Sequence, residues 1–238
     1  MDTKQISVHI NADAEQVWRA LREPALTAQW HGWQLDGLAE EIQQIYYSDA
    51  VESPDHLRLD LGKDDAFVLE PVADGTVLTI HHTKGTGEWA KYDADIVEGW
   101  QMFVQQLRFM LERHPHAERR TVYVDGQTTA ATTLWEALGI DTGWLPDPGE
   151  DYEATLTTGQ VLSGKVWYRT GTQLGLTVHS YAEHSDGLLI LTEQAPLEGI
   201  REHSGALLIA STYGLGAAAL DAVGSHWDAF METHYPLD

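Results

Sequence analysis

Histidines and carboxylates are the side chains of this sequence that could do chemistry. The chain has 12 His and 37 Asp and Glu residues but no Cys, so thiolate catalysis, disulfides and Fe–S clusters are excluded. His81 and His82 are adjacent on a predicted strand, where their side chains point to opposite faces and cannot share one ion. His114 and His116 have no acidic or His partner at a diagnostic spacing, and no HExxH string or EF-hand loop occurs. The sequence therefore predicts no metal site and no cofactor.

Motifs for nucleophilic and acid–base catalysis are also missing. No Gly-x-Ser-x-Gly elbow occurs. Gly85 and Gly87 precede a predicted helix and could offer N–H groups to an anion, but the Lys-Ser/Thr ending of a phosphate-binding loop does not follow. A buried pair such as His179 with Glu183 is compatible with catalysis, although nothing selects it. We predict no catalytic residue, favour a non-catalytic role and leave an enzyme open.

Aromatic residues are the best candidates for binding. Nine Trp and nine Tyr outnumber four Phe, and Trp and Tyr suit ligand cavities because they join a large apolar body to a polar group. For any single aromatic residue, core packing is the more common role. The cavity candidates in the first half are Trp30, Trp33, Tyr46, Tyr92, Trp100 and Phe103. Those in the second half are Tyr168, His179, Tyr181, Tyr213 and Trp227.

The charge balance excludes two classes of partner. The formal net charge is −23 and the isoelectric point is near 4.6, which disfavours nucleic acid and anionic membranes. Met1–Gln5 lacks the basic start of a signal peptide, and the most apolar run, Gly205–Ala210, is too short to span a membrane. We expect a soluble cytoplasmic protein without nucleic-acid partners or membrane insertion.

The elements that must position these side chains occur twice. Val17–Leu21, with the sequence VWRAL, is matched by LWEAL at Leu134–Leu138, and each follows a short β-rich segment. Trp100–Phe103 is echoed in the same order by Trp227–Phe230. Such ordered matches indicate an internal duplication. They predict two domains, residues 1–116 and 117–238.

The first copy is predicted to run from a strand through short helices and a meander to a long helix. Ile6–Ile10 alternates like a half-buried strand, and Asp13 with Gln16 fits a capping box. Pro24 ends that helix and opens a second one. The apolar stripe of Glu88–Arg113 predicts the long helix. Four short runs are interpreted as strands of the meander: Leu38–Tyr47, His56–Leu61, Ala66–Leu69 and Val77–Thr83.

The second copy repeats this plan with a loop over Asp141–Asp151 in place of the second short helix. Its final helix carries apolar residues from Leu215 to Met231. Its predicted strands are longer than those of the first copy: Tyr152–Thr157, Val161–Arg169, Leu174–Tyr181, Leu188–Thr192 and Ala206–Thr212.

This order of elements is that of the helix-grip fold. The stretch from Ile10 to Leu21, continuing through Pro24 to Trp30, resembles the opening of START/Bet v 1-like (SRPBCC) proteins, in particular the branch related to the activator of Hsp90 ATPase. Asp74–Thr76 followed by Glu98–Trp100 is similar to that branch as well. The resemblance implies an α+β protein of two tandem helix-grip domains, each with a curved antiparallel sheet wrapped around its long C-terminal helix.

The resemblance also implies the possible functions. Members of the superfamily enclose an apolar cavity, so the leading hypothesis is non-catalytic binding of a small hydrophobic molecule, or an accessory role. The alternatives are a cyclase- or hydrolase-type enzyme and an interaction module with a chaperone or other protein partner. The first copy has few residues between Tyr47 and Gly75 for the usual strands. We therefore predict that the second copy, through Tyr181 and Trp227, is the better binder.

Overall fold

The chain divides into two compact units, Met1–His116 and Ala117–Asp238. The structure is a computed structural model that describes residues 3–62, 65–141, 143 and 145–236, with the backbone alone at Glu88 and Trp89. Each unit has its own apolar core. None of the described helices is long and apolar enough to cross a membrane.

The first unit is a five-stranded antiparallel sheet with a long terminal helix. The regular elements are β1 (Thr3–Ile10), α1 (Ala14–Arg22), α2 (Pro24–Thr27), α3 (Leu38–Gln43), β2 (Ala50–Glu52), β3 (Arg58–Leu61), β4 (Asp65–Val72), β5 (Gly75–Thr83) and α4 (Asp93–Arg113). A π-helical turn, Gln44–Ser48, follows α3, and a 3₁₀ turn, Gly87–Tyr92, precedes α4. The strand order is β1-β5-β4-β3-β2, and every neighbouring pair is antiparallel. Helix α4 packs against β1.

The beginning of this unit follows from local sequence signals. Ile6, Val8 and Ile10 of β1 are buried, as their alternation predicts. The Asp13 carboxylate accepts a hydrogen bond from the backbone N–H of Gln16 at 2.8 Å, and the Asp13 N–H donates to the Gln16 side chain at 3.1 Å. The predicted capping box is therefore confirmed, and it fixes where α1 begins.

The interpretation of Leu38–Tyr47 as a strand was wrong, because this segment forms α3 and the π-helical turn. Its apolar residues at 38, 42, 45 and 46 recur at helical spacing rather than alternating. Ile42 and Tyr46 are buried, and Leu38 and Ile45 pack against the same core. The helix turns all four of these residues toward the core, whereas a strand would have placed Ile45 on the opposite face from the other three.

The second unit repeats the plan with a six-stranded antiparallel sheet. The elements of this unit are β6 (Arg119–Thr128), α5 (Leu134–Leu138), β7 (Asp151–Thr155), β8 (Val161–Arg169), β9 (Gln173–Val178), β10 (Gly187–Gln194), β11 (Ser204–Tyr213) and α6 (Ala217–His234). The strand order is β6-β11-β10-β9-β8-β7, and α6 packs against β6. The predicted strand Leu174–Tyr181 ends at Val178 and continues as a 3₁₀ turn.

The predicted fold class is confirmed. In both units the first strand pairs antiparallel with the last strand, β1 with β5 and β6 with β11, and a long helix ends the unit. Each unit is an α+β helix-grip fold.

Candidate ligand-binding cavity

A cavity of about 850 Å³ lies in the first unit. Three parts of the fold form its walls: α3 with the π-helical turn, the adjoining ends of β3 and β4, and the first half of α4. The lining residues are His31, Glu41, Gln44, Ile45, Asp49, Leu61, Gly62, Asp65, Tyr92, Asp95, Ile96, Gly99, Trp100 and Phe103.

One face of α4 supplies the longest wall. Ile96, Trp100 and Phe103 recur every three or four residues, so their side chains lie on one face. Gly99 lies on the same face and contributes no side chain. A Cβ built at Gly99 would meet no atom within 4 Å. The cavity therefore extends over the position where another residue type would have placed a side chain.

Aromatic rings close the cavity on its inner side. The rings of Trp100 and Phe67 meet edge to face with centroids 5.3 Å apart, and Phe103 lies 4.5 Å from the His31 ring. Trp100 Nε1 is buried and finds no hydrogen-bond partner among the residues that the structure describes. A buried donor left without an acceptor is costly and uncommon in native cores. The hydrogen-bonding groups of this wall are therefore less completely paired than those of an ordinary core.

A hydrogen-bonded chain of three side chains lies at the wall. Tyr46 Oη is 2.9 Å from His31 Nδ1, and His31 Nε2 is 3.1 Å from Glu41 Oε1. The Glu41 carboxylate only accepts, so Nε2 carries the proton and the Tyr46 hydroxyl donates to Nδ1. Burial raises the pKa of Tyr46 well above its ordinary value. The hydrogen bond from His31 lowers the pKa of Glu41, which keeps Glu41 ionised.

A second chain of hydrogen-bonded side chains runs from the cavity to the edge strand β1. His82 Nδ1 is 2.6 Å from Asp65 Oδ1, and His82 Nε2 is 3.0 Å from Asp93 Oδ1. Lys4 Nζ lies 3.1 Å from Asp93 Oδ2. Burial alone would lower the pKa of His82, but the two carboxylate hydrogen bonds outweigh it and raise that pKa. Of these groups only Asp65 lines the cavity.

The same chain also sets the ionisation of Asp93. Burial works to raise the pKa of Asp93, but hydrogen bonds from His82 and Lys4 prevail and lower it. Asp93 is therefore ionised, and an imidazolium at His82 can donate to Asp65 and Asp93 from its two ring nitrogens.

The candidate residues of the first unit fall into three groups: those that line the cavity, those that are buried in the core, and one that does neither. Tyr92, Trp100 and Phe103 line the cavity. Trp30 and Tyr46 are fully buried behind it, and the Trp30 indole donates to the Ala20 carbonyl at 2.9 Å. Trp33 is half-buried and does not line the cavity. The sequence reasoning missed His31, Glu41 and Asp65, whereas Ile96 already stood in the predicted helical stripe.

The second-unit candidates do not meet at a common cavity. Trp227 Nε1 donates to Tyr181 Oη at 2.8 Å, and both side chains belong to the core. The Tyr168 hydroxyl donates to Gln173 Oε1 at 2.7 Å. Tyr213 is buried and His179 is exposed. Pockets of about 320 to 500 Å³ lie among the described residues of this unit, and these candidates do not line them.

Among the cavities that the described residues form, the one in the first unit has the greater volume, although the length of the strands favoured the second copy as the binder. The two echoed helix segments differ at the residue before the shared Trp. The first unit has Gly99 there, whereas the second has His226, whose ring lies 5.0 Å from the Trp227 ring. Burial raises the pKa of Tyr181 to about 12, as expected for a hydroxyl inside a filled core.

The described residues hold no group of three or more His, Asp or Glu side chains that could bind a metal ion. Two of the cavity carboxylates, Glu41 and Asp65, bond to imidazoles in two separate hydrogen-bonded chains. The polar groups at this site can therefore orient a ligand through hydrogen bonds and charge.

The fold and the cavity define the chain as a tandem helix-grip protein. No protein-family model matches the sequence, and no curated protein matches it. Solved structures with similarity over the whole chain include the di-domain ARO/CYC BexL of the BE-7585A biosynthetic pathway, at 11% identity, 100% coverage of both chains and a TM-score of 0.37. DynU16, from the dynemicin biosynthetic locus, shows 16% identity and a TM-score of 0.34, covering 97% of this chain and 95% of its own.

A similarity to half of the chain is found as well. The Aha1 dimer from Colwellia psychrerythraea is 15% identical over 48% of this chain and 98% of its own, with a TM-score of 0.37. At these values the fold assignment rests on the strand order and helix placement of this chain itself.

Proposed function

We propose that the first unit binds a small hydrophobic molecule in its cavity. The observation that carries this proposal is an opening of about 850 Å³ with apolar side chains from three different elements on its walls. Sites for small molecules commonly have roughly 300–1,000 Å³ and mainly apolar linings with a few polar groups. Ile45, Leu61, Ile96 and Phe103 supply the apolar part of this lining, and the carboxylates and Gln44 supply the polar part.

The histidines in the two hydrogen-bonded chains of side chains, His31 and His82, favour ligand binding over acid–base catalysis. The His31 side chain has no exposed surface, and each of its ring nitrogens already has a hydrogen-bond partner. His82 is likewise held at both nitrogens and does not line the cavity. A general base must come within hydrogen-bond reach of the proton that it removes. Neither imidazole offers a nitrogen to a ligand in this arrangement.

A role as an interaction module is less well supported. That hypothesis predicts filled cores in both units and a coherent apolar surface. The first unit instead has the cavity, and the large exposed apolar residues in the described part of the chain lie on separate elements: Leu35, Val51, Val72 and Val161. Single exposed apolar side chains are ordinary on protein surfaces.

Titration of the full chain with the uncharged fluorophore N-phenyl-1-naphthylamine tests the binding proposal. The variants are Phe103→Leu, which removes a ring from the cavity wall, and Phe230→Leu, the same change at the echoed position of the second unit. We expect saturable binding that Phe103→Leu weakens about fivefold, because the lost ring contact is worth roughly 1 kcal/mol. Phe230→Leu should leave the affinity unchanged. Absent saturable binding, or an equal effect of the two variants, would refute the proposal.

A further inference from the structure

The charged side chains among the described lining residues of the cavity are all acidic. Four carboxylate side chains line it: Glu41, Asp49, Asp65 and Asp95. No Lys or Arg stands among its described lining residues. Because cavity walls of low dielectric focus the field of such groups, the opening carries a negative potential.

Two of these carboxylates face an imidazole, which limits how far they can move. Glu41 bonds to His31 and Asp65 bonds to His82. The other two belong to elements that frame the opening: Asp49 follows the π-helical turn, and Asp95 lies in the first turn of α4. Gln44 Nε2 is 3.5 Å from Asp49 Oδ2, so that carboxylate contacts an amide at the edge of the cavity.

The aromatic wall is a second and independent indication of charge preference. Tyr92, Trp100 and Phe103 line the cavity, and the faces of aromatic rings attract cations within about 6 Å. Lys91 Nζ lies 5.2 Å from the centroid of Tyr92, so a cation already lies against that ring, and Trp100 and Phe103 are the lining rings left for a ligand. An ammonium group in the cavity would lie near carboxylates and aromatic side chains together.

We propose that the ligand of the cavity is a hydrophobic amine bound as its ammonium ion, with the apolar body against α4 and the charge among the carboxylates. This inference rests on the proposed binding function and adds the chemical class of the ligand. Amphiphiles that end in a carboxylate or a phosphate are disfavoured, because their charge would be brought close to like charges, of which only Asp65 has an imidazolium partner, His82. The preference belongs to the cavity and not to the overall charge of −23.

Three ligands with one naphthalene body test the inference on the full chain. These are 1-naphthylmethylamine, 1-naphthalenemethanol and 1-naphthoate, which carry a positive, no and a negative charge at neutral pH. Their affinities are measured by displacement of N-phenyl-1-naphthylamine at roughly 0.15 M salt, where the Debye length of about 8 Å screens distant charges. We expect the amine to bind at least tenfold more tightly than the carboxylate, a difference of about 1.4 kcal/mol, with the alcohol between them.

Paired variants locate the origin of this preference. Asp49→Asn with Asp95→Asn removes two cavity charges and spares both imidazole contacts. Glu70→Gln with Glu153→Gln removes two exposed charges that do not line the cavity. The first pair should cut the amine-to-carboxylate ratio at least fivefold, and circular dichroism with urea unfolding shows whether the unit is still folded. The second pair should change the ratio less than twofold.

The possible failures are distinguishable. If N-phenyl-1-naphthylamine itself shows no saturable binding, the proposed binding function fails together with the inference, and if it binds but none of the three ligands displaces it, the inference alone fails. If the alcohol binds and the carboxylate binds as tightly as the amine, the cavity is a binding site but the charge assignment is overturned. A preference for the amine that both pairs of variants reduce equally would assign it to the overall charge and overturn the inference as well.

Discussion

Gly99 offers a test in which binding and stability are expected to change in opposite directions. It lies within α4 on the cavity wall, and a Cβ there would meet no atom within 4 Å. Gly99→Leu therefore places a side chain in the cavity without displacing another group. On the same helical face, Ile96 and Phe103 are three and four residues away, close enough to contact the new side chain.

The expected magnitudes follow from helix propensity and excluded volume. A glycine inside a helix costs about 1 kcal/mol relative to alanine, and leucine is nearly as favourable as alanine. Gly99→Leu should therefore raise the free energy of unfolding by about 1 kcal/mol, or the melting temperature of the first unit by about 4 °C. Because the leucine occupies space that the ligand needs, affinity for N-phenyl-1-naphthylamine should fall at least tenfold, which is about 1.4 kcal/mol.

Gly224→Leu is the matched control in α6 of the second unit. A Cβ at Gly224 would lie 3.9 Å from Val122 Cγ2, an ordinary contact. It should give a similar gain in helix propensity and no change in probe affinity. Urea unfolding followed by circular dichroism measures stability, and the fluorescence titration measures affinity.

Two results would refute this reasoning. Unchanged probe affinity in Gly99→Leu would show that the probe binds elsewhere. A loss of more than about 1 kcal/mol of stability, the size of the expected gain, would show that the space beside Gly99 is not open. A general disturbance of the fold lowers both quantities, so the combination of weaker binding and higher stability is diagnostic.

Two further predictions concern the buried polar contacts. His82→Asn should cost most stability near pH 5.5 and less near pH 9, because the pKa of His82 is raised above 6.5 and the charged form that Asp65 and Asp93 stabilise is lost as the pH rises through that raised value. Urea unfolding at both pH values measures this, and equal costs would contradict it. Tyr181→Phe leaves the Trp227 indole N–H without its acceptor, so it should lower the free energy of unfolding by about 1–3 kcal/mol and leave probe affinity unchanged. Thermal unfolding and the probe titration check this, and weaker probe binding would place the ligand in the second unit.

The sequence predicts much of the fold because the main signals are local. The alternation in β1, the capping box of Asp13 and the stripe on α4 each lie within a few turns of chain. The segment Leu38–Tyr47 shows the limit of this reasoning. Its apolar spacing is helical over too few residues to stand out from a short buried strand, and the core contacts of Ile42 and Tyr46 decide between the two.

The site was harder to predict because it depends on pairing and on empty space. Asp65 and His82 are directly opposite in the β4–β5 register, and a shift by one residue would separate them. Part of the cavity is open because Gly99 has no side chain, whereas candidate sites are predicted from side chains that are present in the sequence. The aromatic candidates were chosen for what they could contact, and in the second unit Trp227 and Tyr181 contact each other.

The pairing of first and last strands has a consequence for synthesis on the ribosome. Thr3 pairs with Thr83, and Arg119 pairs with Tyr213, so neither sheet can close before the last strand of its unit has been translated. During synthesis β1 and β6 therefore remain unpaired until their partner strands are made, and each has the β-rich composition that promotes association between chains. Lys4 near the start of β1 and the arginines Arg119 and Arg120 at the start of β6 place charge on these waiting strands, and charge is the common protection against premature pairing.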